Sequence, residues 1–506
     1  MISVRPRHFL SFIAILLLAT ALRFYLLDNQ SFWNDEGNTA RLSERSVRLI
    51  IEGTASDIHP PLYYLILRGW RELVGQSEFA LRAFSALMGV LTVATTIRLG
   101  RWLDSTPNGR NSWAIAYVAG MLTAVSPALI YYSQEARMYS LLGFLATLST
   151  LLLFKLQKNP RWPLVFGYTA ALTAGLYTHY FFPAIIVSHF LIWFIGQLPT
   201  LAQQKRPLAL LRHPLTIRYA TANLLALLLY APWLPIFLRS TGGGAGSTLD
   251  AAFTWRAATW LLTGPVVHTA TVLVIGAVFL TSAVRRIRFR WPTGRFSLYI
   301  WVLIPLLMMN LAGSTEPQHL KFLTTAVPPL MLLIAMRTVG LWQLRAPGRE
   351  NDRFLHHFGR VMGAALAGPA LIGMGLLLNQ LYHNPTYFRA DYRAMAAQIE
   401  AAHHPDAGII LNAPNQWEVF TYYYDGSADV YPFPKVNSTA AEITPQLEEI
   451  AAAHERLYLI LWGEQGFDPE RQVESWLDAH AFKAQDEWRG DVRFVSYAIP
   501  TAAATE

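Results

Sequence analysis

The sequence predicts a polytopic α-helical membrane protein that ends in a small α/β domain. Three observations carry this reading. Near-continuous apolar runs of about 17–25 residues recur from Phe9 to Leu381, each long enough to cross a hydrocarbon core about 30 Å thick. Apolar residues make up 53% of the chain and charged residues only 15%, with a mean hydropathy of +0.27. Soluble domains hold roughly 45–50% and about 25%. The charge is also segregated. After Leu381 the chain carries 8 Lys and Arg against 19 Asp and Glu, although the whole chain has a net charge of +8.

Taken in order, hydropathy and breakers give about eleven spans, at 9–27, 83–102, 113–131, 140–156, 163–179, 181–198, 219–238, 265–283, 297–312, 322–343 and 360–381. The first follows Arg5 and Arg7 and lacks a small-residue cleavage site, which favours a retained helix over a cleaved signal peptide. Basic residues then group in alternate loops: Arg98, Arg101 and Arg110; Lys155, Lys158 and Arg161; Lys205, Arg206, Arg212 and Arg218. The same set continues with Arg285, Arg286, Arg288, Arg290 and Arg295, then Arg345, Arg349, Arg353 and Arg360. By the positive-inside rule these loops and the N-terminus are cytoplasmic, in a plasma (inner) membrane. The apolar stretch Pro60 to Trp70 is too short to span and would put basic loops on both sides. It is expected to lie in the outer interface as an amphipathic helix.

An odd number of spans places the tail outside. The chain therefore divides into a membrane domain, 1–381, with a first outer loop at 28–82, and an extracytoplasmic domain, 382–506. The tail alternates helical patterns (392–402, 445–454, 469–480) with β-rich runs (408–411, 457–461, 492–499), as a small α/β domain does. The glycine-rich 241–246 lacks the lysine and strand-to-helix setting of a phosphate loop and reads as a linker or lid. The chain has no cysteine, which excludes disulfides, thiolate metal sites and cysteine nucleophiles. Basic loops between spans account for the positive charge without a nucleic-acid partner.

Four polar islands fall on the outer side. Ser31-Phe32-Trp33-Asn34-Asp35-Glu36-Gly37 sets two adjacent carboxylates beside aromatics. Either it is a solvated loop with a helix cap at Asn34 or Asp35, or it supplies a general base. Asp57-Ile58-His59-Pro60-Pro61-Leu62-Tyr63-Tyr64 opens the interfacial helix, with proline where a helix start tolerates it. Tyr131 to Tyr139 reads YYSQEARMY, and Thr178-His179-Tyr180 makes a tight turn. Taken singly, Glu135 and Arg137 are explained by a salt bridge, and His179 and Tyr180 by interfacial anchoring. Four such islands on one face are harder to explain that way. Trp417 to Tyr424 is aromatic enough for either a sugar-contact surface or a domain core.

WNDEG after the first helix, IHPPLYY, Arg82 in FALRAFSAL, YYSQEARMYSL and THY together resemble bacterial membrane glycosyltransferases of the GT-C fold. The likeness is to the family 39-like group with protein O-mannosyltransferases and aminoarabinose transferases, and covers about residues 9–343. It implies a polyprenyl-phosphate-linked sugar as donor and inversion at the anomeric carbon. It implies a hydroxyl acceptor on a protein, lipid or cell-surface glycan. Asp35 would be the base and Glu36 would orient it or the acceptor. His59, Arg82, Glu135, Arg137, Tyr139, His179, Tyr180 and Lys321 would surround the donor phosphate and sugar. Lys321, in His319-Leu320-Lys321-Phe322, departs from the Arg-Tyr usual there, and lysine offers a point charge without the guanidinium fork. No metal ligand set such as HExxH is present, and no metal is expected to be required, although carboxylates and His179 would suit a divalent ion. The rival readings are a transporter or flippase, with charges at helix midpoints and inverted repeats, and a lipid-carrier glycan ligase.

Overall fold

The computed structural model describes residues 6–103, 112–204, 213–241, 250–266, 293–343, 352–435 and 438–500. Residues 267–283 of the expected span at 265–283, and 242–246 of the glycine-rich stretch 241–246, lie outside the described residues. The chain packs as two compact units: Met1–Tyr25, Ser46–Gly75 and Ala80–Tyr382 form the first, and Leu26–Arg45, Gln76–Phe79 and His383–Glu506 the second.

The first unit is helical. Among the described residues, four helices are long and apolar enough to cross a membrane: Glu78–Leu103, Tyr139–Lys158, Pro214–Thr241 and Arg353–His383. Two bent pairs raise the number to as many as six, and His8–Phe24, Pro183–Leu198 and Phe296–Leu311 are shorter apolar helices. The helices touch where side chains are small. A Cβ on Gly100 would lie 2.8 Å from the Ala116 backbone, and Ile97 covers Gly120, so helices Glu78–Leu103 and Ser112–Ala124 approach closely. Their hydroxyls are satisfied internally: Thr92, Thr95 and Thr96 each donate to the carbonyl four residues earlier.

Two expected straight spans are broken. The segment read as 113–131 bends by 56° between Ser112–Ala124 and Pro127–Ser133, and that read as 322–343 bends by 63° between Pro317–Thr325 and Val327–Trp342. Proline causes the first break: Ser126 is extended at ψ 117 because a residue before proline is disfavoured in the helical region. Pro328 and Pro329 open the last of these helices, where their missing N–H groups cost nothing. A helix at Ala251–Thr263 lies in what reads as an outer loop. The stretch Leu62–Val74 is a helix with Tyr63, Tyr64 and Leu67 buried and Leu73 exposed.

Among the described residues, the second unit holds five strands: β1 (Ala407–Leu411), β2 (Asp429–Pro432), β3 (Arg456–Leu461), β4 (Phe482–Arg489) and β5 (Val492–Ala498). They form one sheet in the order β2-β1-β3-β5-β4. Strands β2, β1 and β3 are parallel, while β5 runs antiparallel to β3 and pairs with β4 as a hairpin. The buried run AGIIL of β1 suits an inner parallel strand. Ile410, Leu447, Leu459, Leu477 and Val495 share the core with helices Ala440–Ala453 and Gln472–His480. The first begins before the expected 445, because Glu442 accepts a hydrogen bond from the Thr439 N–H at 2.8 Å and sets the start earlier. Trp417–Tyr423 is a helix whose Val419 and Phe420 are buried.

Whereas the sequence divides at 381/382, residues 26–45 and 76–79 pack with the tail. Helix Asn34–Glu44 lies against helix Trp417–Tyr423, and a Cβ on Gly37 would overlap Val419. We expect Gly37→Ala to cost about 1–3 kcal/mol through overpacking. A lowered midpoint in a thermal-unfolding assay in detergent would record it, and an unchanged midpoint would refute it.

Candidate active site

Asp35 and Glu36 lie in the first turn of helix Asn34–Glu44. The cap residue is Trp33, whose side chain does not bond the helix start, so neither Asn34 nor Asp35 is the cap. Carboxylates in a first turn are held by the exposed N–H groups and helix dipole. The two differ in environment. Asp35 is half-buried; Glu36 is fully buried and ion-paired to Arg389 at 3.3 Å. Arg389 also lies 5.9 Å from the centre of the Trp33 ring. Asn34 is buried, its side-chain oxygen accepting the Tyr392 hydroxyl at 2.6 Å.

The first unit assembles a separate cluster. The Leu62 N–H donates to Tyr177 O at 3.0 Å, tying the HPPLYY segment to the turn that carries His179. Ser85 donates to Arg137 O at 3.1 Å and lies 3.0 Å from the Tyr63 hydroxyl, which pins the EAR turn. Thr324 reaches Tyr139 O at 3.4 Å, bringing in the segment with Lys321. These segments of the first unit are thus anchored through backbone atoms.

Arg137 is 2% exposed and donates to Tyr64 Oη at 3.2 Å and to His59 Nε2 at 3.3 Å. His59 Nδ1 lies 3.1 Å from Asp57. An imidazole that accepts at Nε2 is protonated at Nδ1, so the chain runs from Asp57 through His59 to Arg137 and fixes the guanidinium. Although burial raises its pKa, the His59 contact holds Asp57 below its ordinary value.

His179 completes the group, 6.2 Å from His59, 6.0 Å from Tyr139 and 4.6 Å from Phe322 between ring centres. Burial above all, then His59, Lys321 and Arg137, hold its pKa well below 6.5, so the ring is neutral. Its Nδ1 accepts the Phe181 N–H at 3.0 Å, which puts the proton on Nε2. Among the described residues that N–H is buried without a partner, as are the Tyr139 hydroxyl and His319 Nδ1. Lys321 Nζ sits 5.0 Å over the Tyr139 ring. An orphaned buried polar group costs about 1–3 kcal/mol, and donors of this kind beside two cations are groups that an anionic oxygen can satisfy.

The buried neutral histidine gives a pH dependence. The unfolded chain binds a proton near pH 6.5 and folded His179 does not, so its contribution is complete above about 6.5 and declines as pH falls below it. Thermal stability should fall with pH across that range, and less steeply in His179→Phe. Equal slopes would contradict the assignment.

The structure therefore brings together His59, Arg137, Tyr139, His179 and Lys321. Tyr180 points elsewhere: its hydroxyl accepts from Trp233 at 3.1 Å and its ring meets Phe237 at 5.4 Å. Arg82 and Glu135 are each buried at 2% exposure in the same unit. Asp57 and Tyr64 also belong to the cluster and lie in the segment DIHPPLYY. His319 stood beside Lys321. Arg389 had no local signal. Among the described residues, no three His, Cys, Asp or Glu side chains gather as a metal site.

No protein-family model matches the chain, and no curated protein matches it closely. Solved structures do. ArnT from Cupriavidus metallidurans in the apo state is similar with a TM-score of 0.60 at 13% identity, covering 96% of this chain and 97% of that one. Bound to undecaprenyl phosphate, ArnT gives 0.59 at 14% identity, over 99% of both chains. The oligosaccharyltransferase AglB from Archaeoglobus fulgidus, in complex with an inhibitory peptide and a dolichol-phosphate, gives 0.52 at 12% identity, over 93% of this chain and 71% of that one. Arabinofuranosyltransferase AftD from Mycobacteria gives 0.51 at 14% identity, over 98% and 40%. The chain thus has the fold of the GT-C membrane glycosyltransferases.

Proposed function

We propose that the protein is an inverting glycosyltransferase that moves a sugar from a polyprenyl phosphate to a hydroxyl acceptor at the outer face of the membrane. The observation that carries the reading is the buried donor set around Arg137, Lys321, His179 Nε2 and Tyr139, which suits a phosphate. ArnT was solved with undecaprenyl phosphate and AglB with a dolichol-phosphate, and these likenesses support the choice of ligand.

In this reading Asp35 removes the proton of the acceptor hydroxyl. The oxygen forms a bond to the anomeric carbon from the face opposite the phosphate. The carbon–oxygen bond to phosphate breaks, the electron pair leaves with the phosphate, and the configuration inverts. The leaving group is a stabilised anion and needs positive charge rather than a strong acid, which Arg137 and Lys321 supply. No metal is assigned a role. The proposed topology has eleven spans, a cytoplasmic N-terminus and an extracytoplasmic tail, in the plasma (inner) membrane.

Ligand binding tests the reading through mass action. Undecaprenyl phosphate at about 100 times its Kd should stabilise the purified protein by about 2.7 kcal/mol. Undecaprenol, which lacks the phosphate, should do much less. Equal stabilisation by both would mean that the cluster reads the lipid chain alone.

A further inference from the structure

In open α/β sheets, ligands usually bind outside the carboxyl ends of the parallel strands, beside the point where strand order reverses. Here the residues following β1 are bonded to the chain's own first loop. The Ala413 N–H donates to the Gln416 side-chain oxygen at 3.0 Å, and Gln416 donates to the Tyr392 hydroxyl at 3.0 Å. Tyr392 in turn donates to Asn34 at 2.6 Å. Both Tyr392 and Gln416 are fully buried, and so is Glu36, whose charge is matched by Arg389.

The connection extends along the loop on both sides of Asp35. Arg393 donates to Asp28 O at 3.1 Å and the Arg389 N–H to Gln30 at 2.9 Å. Ser31 donates to Ala390 O at 2.8 Å, and the Phe32 N–H donates to the Tyr423 hydroxyl at 2.7 Å. Arg41 donates to Thr421 O. These bonds flank the turn with the two carboxylates on both sides.

Resting on the glycosyltransferase reading, we propose that the C-terminal α/β domain is a clamp for the catalytic turn, and that Arg389 is its principal positioning residue. Two roles follow from the geometry. The ion pair fixes the first helical turn and so the direction in which Asp35 presents its carboxylate. It also neutralises Glu36, a buried charge one residue from the base. Without Arg389 the buried Glu36 carboxylate loses this cation, the turn is held less firmly, and the base is presented differently. The tail's function on this view is intramolecular, with acceptor selection left to other parts of the chain.

The test uses the full-length protein in detergent, with radiolabelled undecaprenyl-phosphate hexoses and pentoses as donors and water as acceptor. Arg389→Ala should lower kcat about 10- to 100-fold, the scale of a catalytic group displaced by about 1 Å. KM for the donor should stay unchanged. Arg389→Lys should recover part of the loss, and the acidic limb of the pH–kcat profile should move in Arg389→Ala. Hydrogen exchange supplies a readout independent of turnover: amides 34–40 should exchange faster in Arg389→Ala and recover in Arg389→Lys. Unchanged kcat with unchanged exchange would overturn the clamp, as would a rise in donor KM alone. Asp35→Asn run alongside separates the two ideas. Full activity in that variant sinks the base assignment, whereas its inactivity beside a fully active Arg389→Ala sinks the clamp.

Discussion

Asp35→Asn is expected to reduce sugar transfer by about 10²- to 10⁴-fold, the usual contribution of a positioned general base. The substitution keeps the shape of the side chain and removes the group that takes the acceptor's proton. It should not unfold the protein. Asp35 is half-buried in a first helical turn, where losing one negative charge costs about 0.3–1 kcal/mol. Undecaprenyl phosphate should still bind, because the proposed phosphate contacts belong to Arg137, Lys321, His179 and Tyr139. The expected signature is therefore lost turnover with retained lipid binding. A parallel loss of both would point to misfolding or to a misassigned base.

Arg137→Ala carries the second large effect, on the other partner of the reaction. Its guanidinium is buried and oriented by Tyr64 and by the His59–Asp57 pair. Charge grows on the phosphate as the sugar departs, and removing a preorganised donor from such a position costs about 10²–10³ in rate. We expect kcat/KM to fall by that amount in steady-state assays. Arg137→Lys should be intermediate, since a lysine returns the charge but cannot bond His59 and Tyr64 with a planar fork. A value for Arg137→Lys equal to that of the wild type would show that only charge matters there.

Much of this was legible in the chain. Hydropathy depends on local composition, so the helical membrane class and a C-terminal part of mixed helices and strands emerge without any structure. Islands such as DIHPPLYY and YYSQEARMY stood out because polar side chains are rare in so apolar a sequence. The missed features depend on distant partners. Arg389 pairs with Glu36 across more than three hundred residues, and nothing beside it marks that role. Helix Trp417–Tyr423 reads WEVFTYY, rich in aromatic and β-branched residues that favour strands, and is helical through its burial of Val419 and Phe420. Edge strand β4 reads FKAQDEWR with little hydrophobic signal, its residues alternating between exposed and half-buried. The bends at Ser126 and at Ala326 fell inside apolar runs of spanning length. There the prolines, rather than hydropathy, carried the information.

The central claim is that this chain cleaves a polyprenyl-phosphate sugar using Asp35. It is tested most directly by sugar release from a panel of radiolabelled undecaprenyl-phosphate hexoses and pentoses, with wild type and Asp35→Asn compared in detergent and EDTA. The account predicts release by the wild type that persists in EDTA and is lost in the variant, with lipid binding intact in both. Full turnover by Asp35→Asn, or a wild type that neither binds nor cleaves any of these donors, would contradict it.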